Sequence, residues 1–375
     1  MKNLDKYRES FNKTRNYSIG VEEEYMICDP SSGKLVDRAD IIMDQINIDE
    51  KDRFSYELLL SEIEVNTPIC KDVNTAVASI TGLRNRLKQI GETNDFRIGI
   101  SGTHPTASPS DQSFVMNDSY NWVSEQLGYY ASRNITFSLH VHVSVDNADK
   151  SIAIMNCARR WIPALLALST NSPFFDSAKT TMLSSRIMQF GAFPRTEIPV
   201  YMKSFESYIE LVNSFLDMGT IMKPRQIWWK IRPHLEFGTL EFRICDIQRS
   251  LSHTKMLIAL VQAIVHHYDN RSDIEDHERL NYSYLNDGLW KASRFNMNDY
   301  YIKDSLTEDK MSIKENIEMM FDFLEDDLRI LSNDDVVDVG KSILKKGPES
   351  SRQLEVYEKT GYDGLCKYLM DNVEY

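Results

Sequence analysis

Four stretches of the chain alternate polar and apolar residues, and their polar positions carry groups that seek metal or phosphate. They are Gly20-Val21-Glu22-Glu23-Glu24-Tyr25, Glu62-Ile63-Glu64-Val65-Asn66, Ser138-Leu139-His140-Val141-His142-Val143-Ser144-Val145 and Thr239-Leu240-Glu241-Phe242-Arg243-Ile244. A two-residue period sends alternate side chains to opposite faces of a sheet. One face is then Val, Ile, Leu and Phe. The other gathers Glu22, Glu24, Glu62, Glu64, His140, His142, Glu241 and Arg243. A solvated face would be mostly Lys, Thr and Ser. Carboxylates and imidazoles suit divalent cations and, through them, a polyphosphate.

Glu22 and Glu24 sit on adjacent same-face positions and can share a cation, while Glu64 and Glu241 add carboxylates from other strands. Mg²⁺ or Mn²⁺ takes such oxygen ligands and keeps waters that phosphate replaces. The competing reading is a sheet face paired with Arg and Lys. The cost of burying an unpaired cluster of this size weighs against it. Glu23 falls on the apolar face, where a buried ion pair or an edge position is expected. His140 and His142 form a His-x-His that also occurs in zinc hydrolases. Beside the carboxylates, His140 reads as a ligand, and His142 stays open between nucleotide contact and packing. His104 reads as a loop contact.

Arg232, in Ile231-Arg232-Pro233, and Arg243 could clamp phosphate or carboxylate through paired hydrogen bonds. Arg186 and Arg195 come after Asn171-Ser172-Pro173-Phe174, which reads as an ordered loop over a site. Trp228 and Trp229 read as core rather than as a shelf for adenine. Cys245 shares the polar face with Glu241 and Arg243, as a spectator.

These strands must be held by helices. Apolar spacing predicts helices over 76–90, 150–168, 204–216, 253–268 and 351–373, with Pro163 kinking the second or starting a new one. The acidic run 304–345 is expected to be a surface helix with Ile317, Met320, Phe321, Leu324 and Leu328 on its apolar side. Antiparallel strands interspersed with helices give an α+β fold. No linker or repeat interrupts the chain, so residues 1–375 read as one catalytic domain, with 300–375 a helical C-terminal extension of it. There is no Gly-x-Gly-x-x-Gly, and Gly340-Lys341-Ser342 lacks the leading glycine of a P-loop, because Asp335 holds that position.

The net charge of −13 argues against a nucleic-acid partner, since phosphate contacts need basic surface. Any anionic substrate must be captured by local Arg and metal. Five scattered cysteines without a Cys-x-x-Cys fit a reducing cytoplasm. No leader is visible and no apolar run approaches a membrane span, so no membrane partner is expected.

The ordered set Ile19–Tyr25, Ser61–Pro68, His140–Val143, Leu165–Phe174, Ile227–Pro233, Gly238–Arg243 and Trp290–Phe295 resembles the carboxylate-amine ligase family, glutamate–cysteine ligase type 2. That resemblance implies a glutamine-synthetase-like, mainly antiparallel curved sheet with helices on its outer face. It implies ATP, Mg²⁺ or Mn²⁺, and small-molecule amino-acid substrates, with a homodimer as a possible assembly. By matching positions, Glu22, Glu24, Glu64, His140 and Glu241 are implied metal or ATP-site residues. Arg232 and Arg243 are implied phosphate or substrate contacts of catalytic weight, and His140, His142, Arg186 and Arg294 are implied nucleotide contacts. Three flanks depart from the pattern: Ser138-Leu139 stands for Cys-Gly, Thr180-Thr181 for Thr-Gly, and Lys230 for an acidic residue. The expected activity joins an amino-acid carboxylate, such as that of glutamate, to an amine such as cysteine through an acyl phosphate. The rivals are a metal-dependent hydrolase built on the His-x-His strand and a non-catalytic nucleotide-binding paralogue.

Overall fold

The computed structural model describes residues 4–11, 16–270, 280–298 and 300–375. Among these residues the strands are β1 (Ile19–Cys28), β2 (Phe54–Tyr56), β3 (Glu62–Asn66), β4 (Arg97–Gly99), β5 (Ser138–Ser144), β6 (Phe174–Phe175), β7 (Ala178–Lys179), β8 (Ile231–His234), β9 (Thr239–Asp246), β10 (Tyr301–Lys303) and β11 (Lys310–Ser312). One sheet runs β2-β3-β1-β5-β9-β8, with β4 paired to the far end of β1. Every pairing in it is antiparallel. With the helices around it, the fold is α+β, as the alternation predicts.

The alternation works as expected on the dry side. Val21, Val141, Val143, Leu240 and Phe242 lie in one core with the helices Val73–Asn94, Ala148–Ala158, Ile162–Ser169 and Leu251–Asp269. Each fully buried aliphatic side chain contributes roughly 1.5–3 kcal/mol. A second core joins Ile63 and Val65 to Ile42, Leu87, Phe96, Leu365 and Leu369. Pro163 opens a new helix after a 3-10 turn, one of the two outcomes expected for it. Gly340-Lys341-Ser342 lies inside the helix Val336–Lys346, where no phosphate loop exists.

Glu23 makes a buried ion pair, one of the two outcomes expected for it. Arg84 reaches it with Nη2 to Oε1 at 2.8 Å, and neither side chain is exposed. The same guanidinium donates to the carbonyls of Gln248, Arg249 and Glu374, which ties a core helix to the chain's last segment.

Two expectations are corrected. Residues 304–312 are not helical: Asp304 accepts the amides of Leu306 and Thr307 in a turn that joins β10 to β11. A capping box of Ser312 and Glu315 then starts the helix Ile313–Phe323, and the acidic run breaks into three helices rather than one. The second correction concerns Cys245. A β-bulge shifts the β5–β9 register between Leu139 and Val141, so Leu139 faces Cys245 while Val141 faces Phe242. One extra residue in β9 moves every later side chain of the strand to the other face. Cys245 therefore turns into the dry core, and Asp246 turns toward the side of Ser138.

Candidate functional site

Register places the chemistry. Glu22 lies opposite His140 on one neighbour and Asn66 on the other, and Glu24 lies opposite Glu64. His142 and Arg232 both lie opposite Glu241. Directly opposed residues share a face, so their side chains meet. The β8–β9 hairpin that sets Arg232 against Glu241 closes through Gly238, whose φ is +67°. A Cβ there would also strike the Ser10 carbonyl, so only glycine fits this turn.

The wet face opens into a cavity of about 340 Å³, within the size range of small-molecule sites. Its floor is Glu22, Glu24, Glu62, Glu64, His140, Glu241, Arg232 and Arg243; Tyr120, Phe190, Phe193 and Trp228 are among the residues that wall it. Trp229 is core, as expected, whereas Trp228 lies at the cavity.

One wall is acidic. Glu24 accepts the Ser138 amide at 2.6 Å and the Ser138 hydroxyl. Glu64 accepts from Asn66 at 3.1 Å. Burial, then the neighbouring Glu22, Glu57 and Glu24, hold the Glu64 carboxyl well above the ordinary carboxylate range. Burial and the same kind of crowding raise Glu62. Glu57 is pushed up to about 8 by burial and then by Glu24. Like charges this close cannot all ionise without a cation.

The centre is held by histidines. His140 Nδ1 lies 2.9 Å from Glu22 Oε2, and His142 Nε2 lies 3.2 Å from Glu22 Oε1. Burial raises the Glu22 carboxyl, but His142 and His140 outweigh it and leave it well below its ordinary value. Burial and then Arg243 lower His140. His142 stands behind the cavity surface, with Nδ1 3.0 Å from the Thr239 hydroxyl and its ring against His234 and Phe237.

The opposite wall is basic. Arg232 donates to both Glu241 oxygens, at 2.6 and 3.2 Å, and Arg243 donates to Glu241 Oε1. Burial raises Glu241, but Arg232 and then Arg243 bring it well below the usual carboxylate range. Arg186 is fixed by Asp246, Nε to Oδ1 at 2.8 Å, and by the carbonyls of Arg243 and Ile244. Arg225 completes this wall.

The site residues expected from sequence fall into three groups. Glu22, Glu24, Glu64, His140, Glu241, Arg232, Arg243 and Arg186 line one cavity, and His142 supports it from behind. Arg294 is not brought there; it donates to the Thr181 carbonyl. Arg195 lies in a neighbouring pocket across Trp228. The Asn171–Phe174 segment is ordered but lies under the site, where Ser172 Oγ accepts the Arg186 amide and donates to Asp246. His104 is a loop contact: Nε2 bonds the Gly33 carbonyl, and burial lowers the ring to about 4. Sequence reasoning missed Glu57, which stands just after β2 without any alternation to mark it, and Asp246, which the bulge brings round.

The donor chemistry fits a hard divalent cation. Oxygen and nitrogen atoms of Glu22, Glu64 and His140 lie within 4.8 Å of one another, as do those of Glu24, Glu57 and Glu64, and those of Glu22, His142 and Glu241. In the third group Glu241 is already matched by two guanidiniums, so the first two are the better seats.

A family model described as glutamate-cysteine ligase family 2 matches residues 18–367. A Herpetosiphon aurantiacus protein provisionally named glutamate–cysteine ligase 2 is 34% identical, over 98% of this chain and 97% of its own. A Solibacter usitatus protein of the same provisional name is 32% identical, over 96% and 94%. Among solved structures, a Francisella tularensis glutamate–cysteine ligase in complex with AMP superposes with a TM-score of 0.72 at 12% identity, over 96% of this chain and 89% of its own. A bifunctional glutathione synthetase from Pasteurella multocida gives 0.72 at 14% identity, over 99% of this chain and 54% of its own. At such identities these two structures speak for the fold.

Proposed function

The chain belongs to glutamate–cysteine ligase family 2, and from that premise we propose that it joins an amino-acid carboxylate, that of glutamate, to an amine such as cysteine at the expense of ATP. The observation that supports this reading is the polarised cavity: a wall of crowded carboxylates faces a wall of arginines across about 340 Å³. Mg²⁺ would be held by Glu22, Glu64 and His140 and by Glu24, Glu57 and Glu64, and when bound it neutralises phosphate and acid charge.

The chain's own residues do the rest. The acid's carboxylate attacks the γ-phosphorus of ATP, ADP leaves, and an acyl phosphate forms. The amine then attacks the acyl carbon, phosphate departs, and the amine's proton passes to solvent. Two anions must be held together in line, so positioning and charge stabilisation dominate. Arg243 and Arg232, locked on Glu241, present preorganised donors to the oxygens that gain charge. Arg186 is held rigid by Asp246 and adds a further donor. His142 braces Glu22 from behind. Neither a nucleophilic Ser nor a nucleophilic Cys is needed, and Cys245 is turned away.

The test is ADP release across a panel of amino acids paired with amines, with and without Mg²⁺. Release only when an acid, an amine and Mg²⁺ are all present is expected. Nucleotide binding without release in every mixture would reduce the protein to a non-catalytic relative.

A further inference from the structure

Arg195 and Trp228 border a second space that the reaction cavity leaves unused. It measures about 340 Å³, as large as the reaction cavity, and falls in the range of small-molecule sites. Two chain segments send residues into both spaces. From the helix Asp118–Leu127, Tyr120 and Val123 line the reaction cavity, while Trp122, Gln126 and Leu127 line the second space. Phe193 lines the first, and Arg195, two residues on, lines the second. Trp228 is half-buried and borders both, so the two spaces are one side chain apart.

The chemistry of the second space differs from that of the first. Among the described residues that line it there is no carboxylate, and Arg195 is the one charge. Trp122, Leu127, Met218 and Trp228 make its walls apolar and aromatic. Arg195 is held in place: its guanidinium lies 5.7 Å from the Trp228 ring and 5.9 Å from the Phe215 ring, and Nε donates to the Gln226 carbonyl at 3.2 Å. No carboxylate pairs with it among the described residues, and Glu197 acts on it only from beyond ion-pair distance. Its backbone φ is +62°. A non-glycine residue holds that conformation at a cost, and such residues concentrate at ligand sites. A half-buried guanidinium beside aromatic walls suits a carboxylate carried by a ring-bearing molecule. An adenine would not serve it, because the triphosphate is committed to the cation seats and Arg195 would be left without an anion.

We propose that this pocket receives the amine acceptor, and that the acceptor is an amino acid with a large aromatic side chain. Its carboxylate sits on Arg195, its ring lies against Trp122 and Trp228, and its amine reaches the acyl phosphate along the edge of Trp228. This rests on the ligase reading and narrows the acceptor, since a small side chain leaves the aromatic walls in water and uses Arg195 alone.

The test measures kcat/KM with glutamate, ATP and Mg²⁺ for phenylalanine, alanine and phenethylamine as acceptors. Wild type is expected to use phenylalanine about 10- to 100-fold better than alanine, the size of one buried aromatic ring. It is expected to use phenylalanine about 10-fold better than phenethylamine, which lacks the carboxylate. Arg195→Met erases the second preference, and Arg195→Lys keeps part of it. Gln126→Trp, which fills the pocket from an exposed position on its rim, erases the first. Melting curves verify that the variants fold. Phenylalanine used no better than alanine by wild type, either preference surviving in its variant, or a raised ATP KM in Arg195→Met overturns the assignment. Phenylalanine binding by calorimetry separates the two claims. Wild type that binds phenylalanine more tightly than Arg195→Met does, yet releases no ADP with any acceptor, defeats the ligase reading alone. Failure of phenylalanine both to bind and to react defeats the pocket, whatever ADP release occurs with other amines.

Discussion

Substituting Glu57 by Gln should stabilise the metal-free protein at alkaline pH. In the fold its carboxyl is raised from an ordinary 4.5 to about 8, first by burial and then by Glu24. Between pH 4.5 and 8 the folded site keeps a proton that the unfolded chain has released. Stability therefore falls as pH rises through that window. At ~1.4 kcal/mol per pH unit the loss is capped at roughly 5 kcal/mol. Water reaching this half-buried side chain reduces it to roughly 2–3 kcal/mol. A glutamine has the shape of the protonated acid and does not titrate. Glu57→Gln should therefore match wild type near pH 5 and melt roughly 3 °C higher at pH 8.5 without metal. Mg²⁺ should reverse the order, since it stabilises the form that binds it, and its effect on wild type should grow from pH 6 to pH 8.5. The assay is thermal unfolding of both proteins across pH, with chelator or with Mg²⁺. A metal-free variant that melts at or below wild type at pH 8.5 would refute the account of crowded carboxylates.

The same geometry carries three more predictions. Arg84→Met strands Glu23 in the core and should cost about 3–5 kcal/mol in denaturant unfolding, with much of it regained in the Arg84→Met, Glu23→Gln double variant. Arg232→Lys keeps the charge but loses the two-point grip on Glu241, and ADP release should fall about 100-fold with little change in melting temperature. Cys245→Ala should leave ADP release within about twofold, because the thiol is buried and burial pushes it up to about 12; a large loss would return Cys245 to the site.

Much of the site was legible because strand alternation is a strict code. Glu22, Glu64, His140 and Glu241 could be assigned to one face without knowing which strand neighbours which, and the register then brought them together. The code fails where the period breaks. The bulge in β9 has no residue signature, so Cys245 and Asp246 exchanged expected faces. Glu57 stands in a loop, where no period applies, and its role appears only when Glu24 and Glu64 close on it. Helix positions came from apolar spacing. Residues 304–312 misled because their acidity fits a helix surface equally well, and the turn depends on Asp304 capping its own backbone. Trp228 and Trp229 are adjacent and alike in sequence, and only the fold separates one at the cavity from one in the core.

The central claim is that the acidic wall, loaded with metal, lets ATP activate an acid as its phosphate. Trapping that species with hydroxylamine is the most direct measurement. With glutamate, ATP and Mg²⁺, wild type should form the hydroxamate in step with ADP, and Glu64→Gln, folded by its melting curve, should form neither. Release of AMP and pyrophosphate in place of ADP, or undiminished hydroxamate from Glu64→Gln, would contradict the account.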